Sequence, residues 1–152
     1  MRVLVQRSLD SFVSVDDKII GKIDKGLVLF VGFTDGDDVK DIDYMVKKVI
    51  NLRIFDDEKH IMNKSILDTN GKILSISQFT LYADTKKGNR PSYVKALGSD
   101  KANKLYEMFN EKLKEYIHVE TGQFGADMLV NIKNDGPVTI LLESRKANEA
   151  KL

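Results

Sequence analysis

The segment from Leu27 to Phe33 constrains the fold most, because it is apolar at every position except Gly32. Such a run is typical of a strand covered on both faces, whereas a half-exposed strand would alternate. Residues 35–38 read Asp-Gly-Asp-Asp and offer turn and N-cap chemistry. Apolar residues then recur at spacings of three and four over residues 39–49, which predicts an amphipathic helix. A buried strand followed by this helix predicts a sheet with helices packed on it.

The remaining patterns predict more strands and a second helix. Short strands are predicted at residues 3–6, 12–15, 19–23, 52–55 and 73–79, and an amphipathic helix at 100–118. Two alternating runs, 128–132 and 138–142, flank Asn134-Asp135-Gly136-Pro137 and predict a hairpin. The predicted fold class is α/β: a single domain over 1–152 with a mixed, largely antiparallel sheet and a frayed tail at about 145–152.

Composition excludes several classes of function. The chain has no cysteine, which removes disulfides, thiolate metal sites and cysteine nucleophiles. The two histidines, His60 and His118, are far apart, and acidic pairs stand at turns, so we predict no metal and no cofactor. A formal net charge of +1 argues against tracking along nucleic acid, and no DNA partner is predicted. No signal peptide or membrane-length apolar run is present, so we expect no membrane partner and a cytoplasmic location.

Three segments could carry chemistry. Ser77-Gln78-Phe79-Thr80 stands where a strand is predicted to end, although it is no GxSxG elbow and an ordinary strand end is the alternative. The loop with Lys86, Lys87 and Arg90 suits a phosphate-bearing partner or is simply solvated. Gly136-Pro137 is either a plain turn or a cis peptide, and the residues alone favour the turn.

Six short segments are more informative together than singly. In chain order they are Val5-Gln6-Arg7, Leu52-Arg53-Ile54-Phe55-Asp56-Asp57, Ser77-Gln78-Phe79-Thr80-Leu81, Lys87-Gly88-Asn89-Arg90-Pro91-Ser92, Gly122-Gln123-Phe124-Gly125-Ala126-Asp127-Met128 and Asn134-Asp135-Gly136-Pro137-Val138-Thr139. This set resembles the D-aminoacyl-tRNA deacylase family of the D-Tyr-tRNA deacylase type, in the same order and over nearly the whole chain. The resemblance implies that family's three-layer fold, a cytoplasmic homodimer, and hydrolysis of the ester between a D-amino acid and the terminal adenosine of tRNA.

The resemblance also implies roles for particular residues. In the family the Gly-Pro bond is cis and enters the partner subunit's site, which here concerns Gly136 and Pro137 and reverses the interpretation as a plain turn. The expected tRNA partner would meet the chain at its acceptor end. By their motifs, the implied catalytic residues are Ser77, Gln78, Phe79 and Thr80, the implied substrate-binding and chirality-selecting residues are Met128, Asn134, Gly136, Pro137 and Thr139, and the implied tRNA contacts are Lys86, Lys87 and Arg90.

An aminoacyl ester is already activated, so positioning, an oxyanion hole and a water can suffice for its hydrolysis. Backbone N–H groups around Phe79 and Thr80 are candidates for that hole. Thr80 is either a nucleophile or a group that orients the reactants while the ribose 2′-hydroxyl assists; the absence of a nearby base favours the second role. A rigid backbone wall would reject L substrates by clash but would admit glycine, so several D-aminoacyl-tRNAs and glycyl-tRNA are expected substrates.

Three other classes of protein stay open from the residues alone. The first is a different esterase or amidase that uses Ser77 or Thr80 with the distant His118. The second is a non-catalytic RNA-binding module built on the basic loop and Tyr93. The third is a purely structural dimer.

Overall fold

The computed structural model describes residues 1–145, so the tail expected to fray at about 145–152 lies outside the described residues except for its first position. The strands are β1 (Arg2–Ser8), β2 (Ser11–Val15), β3 (Lys18–Ile23), β4 (Gly26–Gly32), β5 (Phe55–Asp56), β6 (Met62–Lys64), β7 (Lys72–Ser77), β8 (Val119–Thr121), β9 (Leu129–Asn131) and β10 (Asn134–Glu143). The helices are α1 (Val39–Asn51) and α2 (Ser99–Lys114), with a 3-10 turn at Phe79–Tyr82.

A five-stranded sheet in the order β10-β1-β4-β7-β8 forms the centre of the protein. β1 runs antiparallel to both of its neighbours, whereas β4, β7 and β8 run parallel to one another. Parallel neighbours need a crossover, and α1 and α2 supply the two crossovers. A smaller antiparallel sheet has the order β3-β2-β9. The mixed, largely antiparallel arrangement with packed helices confirms the predicted fold class.

Both faces of the central sheet are covered, which produces three layers. On one face, buried side chains of β1, β4 and β7 pack against α1 and α2. On the other face, Val28, Leu74 and Ile76 pack against Val13 and Ile23 of the small sheet. Six of the seven β4 residues are buried, as the uninterrupted apolar run predicts.

The first helix begins where its cap was expected. The Asp38 side chain accepts from Lys40 N at 2.9 Å, and the Asp41 side chain accepts from Asp38 N at 3.0 Å. This reciprocal pair is a capping box, which satisfies two backbone donors that a helix start leaves open. No helix in residues 1–145 is long and apolar enough to cross a membrane.

A cluster of charged groups lies near the start of α1 and joins the two ends of the described chain to it. The Met1 amine lies 2.8 Å from Asp37 and Arg145 lies 2.6 Å from the same carboxylate, whose side chain is completely buried. Asp41 accepts a hydrogen bond from Ser144 Oγ at 2.7 Å. Burial alone would raise the pKa of Asp41, but this hydrogen bond, that from Asp38 N and the nearby positive charges lower its pKa overall.

The hairpin predicted over 128–142 is wrong. β9 pairs with β2 in the small sheet, whereas β10 pairs with β1 in the central sheet. β1 and β2 diverge into separate sheets around Leu9. Leu9 N donates to Lys133 O at 3.0 Å, and Lys133 lies where β9 and β10 diverge as well. Each of these C-terminal strands therefore pairs with an N-terminal strand instead of with its neighbour in sequence.

Three predicted boundaries also need correction. Only Phe55 of the strand predicted at 52–55 is paired, and the observed strand continues to Asp56. β7 ends at Ser77 because the chain there turns into the 3-10 helix. α2 ends at Lys114 instead of continuing to residue 118. The carbonyl of His118 accepts from Ile73 N at 3.0 Å, so this residue already lies beside β7.

Candidate active site

A cavity of about 500 Å³ lies at the carboxyl ends of β4 and β7. This is the edge of a parallel α/β sheet where ligands usually bind, because chain ends and loops converge there. Four parts of the chain form its wall: residues 31–33, residues 77–79, the segment from Tyr93 into the start of α2, and the loop 124–128. The fold thus brings together residues that are nearly 100 positions apart.

Ser77 and Gln78 stand at the point where β7 leaves the sheet. Gln78 N still donates to Val31 O at 2.8 Å, and this bond holds the turn against β4. A Cβ on Gly32 would lie 2.8 Å from Gln78 O, so the close approach of the two backbones requires glycine at position 32. The glycine that interrupts the apolar run therefore positions the candidate catalytic turn.

The first two residues of the 3-10 turn present unpaired backbone donors. Within residues 1–145, neither the Phe79 N–H nor the Thr80 N–H donates a hydrogen bond, and Gln78 supplies no side-chain cap. Helix starts leave such donors open, and fixed donors can stabilise a developing oxyanion. The Gln78 amide instead donates from Nε2 to Thr80 Oγ1 at 2.5 Å. An amide N–H is not a base, so this contact orients the threonine hydroxyl without activating it.

Two residues before Ser77, the carbonyl of Ser75 joins three elements of the structure. Ser75 O accepts from Tyr106 Oη at 2.7 Å and from Gly122 N at 3.1 Å, which connects β7 to α2 and to the loop after β8. Burial raises the pKa of Tyr106, so its hydroxyl stays protonated as a donor. A Cβ on Gly122 would lie 2.6 Å from Met128 Sδ, which explains how Met128 reaches the cavity wall.

The cavity mouth carries an aromatic pair beside a basic loop. The rings of Phe79 and Tyr93 meet edge to face with centroids 5.0 Å apart, and both side chains are substantially exposed. Lys86, Lys87 and Arg90 are exposed on the loop between them and do not line the cavity. Two hydrogen bonds between Asp84 and Ser92 hold the base of this loop.

The segment 134–139 lies apart from this cavity, on the edge strand β10. Gly136 and Pro137 are exposed, and the peptide bond between them is cis. The Asn134 side chain donates to Thr139 Oγ1 at 2.9 Å and accepts from Val138 N at 3.2 Å, which closes a compact turn.

Arg7 on β1 anchors this turn from behind. It donates from Nε to Asp135 O at 3.1 Å and from Nη1 to Ile54 O at 2.8 Å. A Cβ on Gly136 would lie 3.1 Å from Arg7 Nη2, and its φ of +129° favours glycine. Within one chain, the residues predicted to be catalytic and those predicted to select chirality thus form two separate groups, with only Met128 from the second group at the cavity.

Some residues that build the site were not singled out from the sequence. Tyr106 and Phe124 pack with ring centroids 6.0 Å apart, and Phe124 lines the cavity. A tyrosine on the otherwise apolar stripe of α2 is the signal that could have identified Tyr106, because a buried hydroxyl needs a partner. Among residues 1–145, no three His, Asp or Glu side chains converge as metal ligands would.

Comparisons with known proteins agree over nearly the full chain. A model of the D-Tyr-tRNA(Tyr) deacylase family matches residues 4–143. Proteins named D-aminoacyl-tRNA deacylase from Clostridium novyi (strain NT) and Clostridium tetani (strain Massachusetts / E88) are 55% and 56% identical over 147 residues, which are 96% of this chain and 99% of each relative.

Solved structures show the same fold. One described as c-Myc DNA Unwinding Element Binding Protein has a TM-score of 0.92 at 39% identity and covers 96% of this chain and 100% of its own. A probable eukaryotic D-amino acid tRNA deacylase has a TM-score of 0.80 at 18% identity, covers 93% of this chain and 97% of its own, and shows likeness of fold alone. The family match and these relatives establish that the chain belongs to the D-Tyr-tRNA(Tyr) deacylase family.

Proposed function

We propose that this protein is a D-aminoacyl-tRNA deacylase, a hydrolase that cleaves the ester between a D-amino acid and the terminal adenosine of tRNA. The observation that carries the proposal is the 55% identity over 99% of a relative with that name. The geometry supports it independently, because Ser77, Gln78 and Phe79 line a cavity of about 500 Å³ at the carboxyl edge of the parallel strands. A cytoplasmic location would suit an enzyme that meets charged tRNA.

The chemistry requires few protein groups. The Phe79 and Thr80 N–H groups point to an oxyanion hole, since both lack partners within the described residues. Water attacks the ester carbonyl carbon, the bond between that carbon and the ribose oxygen breaks, and the ribose oxygen takes up the proton that the water gives up, so the products are the free amino acid and the tRNA hydroxyl. The Gln78 contact gives Thr80 an orienting role, and the neighbouring 2′-hydroxyl of the substrate is then the group that assists proton transfer.

The mouth of the cavity suits the unpaired end of a tRNA. Single-stranded RNA is commonly bound by stacking bases on aromatic side chains and by pairing phosphates with cations. Phe79 and Tyr93 offer aromatic faces and edges, and Lys86, Lys87 and Arg90 offer the charges. A compact footprint of this kind is compatible with a net charge of only +1.

Chiral selection in this proposal depends on a second copy of the chain. Gly136 and Pro137 are exposed on an edge strand and do not line the cavity of their own chain. A homodimer that joins β10 edges would hide the exposed Leu141 and bring this turn to the partner's cavity. A backbone wall there would exclude L side chains and admit D side chains and glycine, so glycyl-tRNA is a proposed substrate as well.

The deciding experiment is deacylation of D-tyrosyl-tRNA, L-tyrosyl-tRNA and glycyl-tRNA by the purified protein. We expect release from the D and glycyl substrates and little release from the L substrate. Equal rates on D and L substrates would exclude the wall, and no release from any of the three would exclude the enzyme.

Thr80→Ala separates the two roles of the threonine. If Thr80 orients, its loss removes about one hydrogen bond, so we expect activity to fall by about tenfold while D-tyrosyl-tRNA still binds. Loss of all turnover with intact binding would instead support a nucleophile. Thr85→Ala, in the nearby exposed loop, is the matched control.

A further inference from the structure

A basic groove lies at the carboxyl end of α1, away from the candidate active site. It has a volume of about 450 Å³. Its lining residues are Tyr44, Lys47, Lys48, Asn51, Leu52 and Arg53. Three of these side chains are cationic and none is a carboxylate, although the whole chain carries nearly equal numbers of both charges.

The cationic side chains of this groove differ from other cations of the described structure in their lack of ion pairs. Lys64, Lys112 and Lys114 each form an ion pair with a carboxylate. Within residues 1–145, Lys47, Lys48 and Arg53 do not. Asp43, one turn before Lys47 on α1, is already bound by Lys112.

Arg53 and Tyr44 give the groove a defined shape. Arg53 donates from Nε to the Asn63 carbonyl at 2.9 Å, which holds its guanidinium in place without removing its charge. The Tyr44 side chain is 45% exposed, and Lys48 Nζ lies 5.6 Å from its ring centroid. Cations arranged around an accessible aromatic ring suit RNA, whose phosphates and exposed sugars or bases use both groups.

Helix α1 separates the groove from the cavity along the sheet. α1 begins just beyond the carboxyl end of β4, which borders the cavity, and runs back toward the opposite edge of the sheet. A helix of 13 residues spans about 20 Å at 1.5 Å per residue. An RNA whose terminus occupies the cavity would therefore meet the groove with a part of its backbone that is remote from the reacting ester.

We propose that this groove binds the phosphate backbone of the tRNA stem, as a second contact remote from the reacting ester. The inference rests on the proposed function for the identity of the RNA. The groove adds affinity and has no part in the chemistry, so its loss is expected to raise KM and leave kcat unchanged.

The test compares a Lys47→Gln/Lys48→Gln variant with a Lys18→Gln/Lys22→Gln control. The control removes the same charge from exposed β3 positions that form no ion pair within the described residues. Each protein is assayed on full-length D-tyrosyl-tRNA and on the D-tyrosyl ester of a trinucleotide, over a series of salt concentrations. Binding of uncharged tRNA is measured in parallel.

For the groove variant on full-length substrate, we expect kcat/KM to fall by about tenfold at low salt. We also expect the slope of log kcat/KM against log salt to flatten by about 1.5, since each lost phosphate contact contributes about 0.7–0.9. The trinucleotide ester should be cleaved at the wild-type rate, and the control variant should match wild type on both substrates.

Unchanged kinetics on full-length tRNA, an equal loss in the control variant, or an equal loss on the trinucleotide ester would overturn the inference. The binding measurement separates it from the proposed function. If the wild-type protein cleaves neither ester but its tRNA binding still depends on Lys47 and Lys48, the groove assignment stands and the proposed function fails. If tRNA binding does not depend on them either, the groove assignment fails too.

Discussion

A substitution at Arg7 removes contacts that hold the Gly136–Pro137 turn in place, without changing any residue of the turn itself. Its side chain is 11% exposed and donates to the carbonyls of Asp135 and Ile54, at 3.1 and 2.8 Å. Its two carboxylate contacts, with Asp56 and Asp135, are both 3.5 Å long, and both carboxylates are substantially exposed. Arg7→Met keeps most of the apolar stem and removes the guanidinium.

The expected cost comes mainly from the two carbonyl contacts. A hydrogen bond from a charged group contributes about 1.5–3 kcal/mol. Exposed ion pairs contribute about 0–1 kcal/mol. Water can replace part of the bond to Asp135, which is half-buried, so we expect Arg7→Met to lower the free energy of unfolding by about 3 kcal/mol. For a protein of this size, that corresponds to a fall in Tm of about 6–12 °C.

Urea unfolding measures the stability, and the D-to-L ratio of kcat/KM on tyrosyl-tRNA measures the selectivity. We expect this ratio to fall in Arg7→Met because the 134–137 turn loses its anchor. Ile42→Ala is the control, since it removes completely buried atoms from α1 at a similar cost of about 2–5 kcal/mol. A stability loss below about 1 kcal/mol, or the same fall in selectivity in Ile42→Ala, would refute the reasoning.

Three further perturbations test local features of the fold. Asp38→Ala removes the cap of α1 and should lower the free energy of unfolding in urea by about 1 kcal/mol, and an unchanged midpoint would mean that water replaces the cap. Tyr106→Phe should cost about 1 kcal/mol and lower kcat/KM, whereas a loss of stability with wild-type kinetics would limit Tyr106 to a structural role. The pKa of Asp41 is lowered from 3.8 on folding, so its contribution to stability is present above about pH 4 and is lost as pH falls through the folded pKa. Unfolding followed from pH 6 to pH 2 should therefore show a shallower decline for Asp41→Asn than for wild type, and parallel curves would contradict that linkage.

Much of the local structure follows from short patterns in the sequence. The apolar run 27–33 predicted a strand buried on both faces, and the Asp38 cap with its apolar stripe predicted α1. The polar strand end at Ser77 predicts a candidate site, and Ser77 lines the cavity. These features depend on neighbours within a few residues, which is why a linear pattern can specify them.

Strand pairing is harder to predict from the sequence, as β9 and β10 illustrate. Both runs alternate and are separated by a Gly-Pro turn, so a hairpin satisfied every local rule. β9 pairs instead with β2 and β10 with β1, because β1 and β2 diverge into two sheets and each has one side that β3 or β4 does not occupy. The strand predicted at 52–55 begins later than expected for the same reason, because a short β-type run becomes a strand only where a partner strand is available.

By itself, the sequence determined the class of each long element, the cap of α1 and, through six motifs, the family. Only the tertiary structure decided what surrounds Ser77–Thr80: the glycine at position 32 that lets two backbones approach, the Tyr106 hydroxyl behind β7, and the distance of Gly136–Pro137 from the cavity of its own chain. The physical reason is that periodicity and capping energies act between near neighbours, whereas a cavity exists only where packing brings distant segments of the chain together.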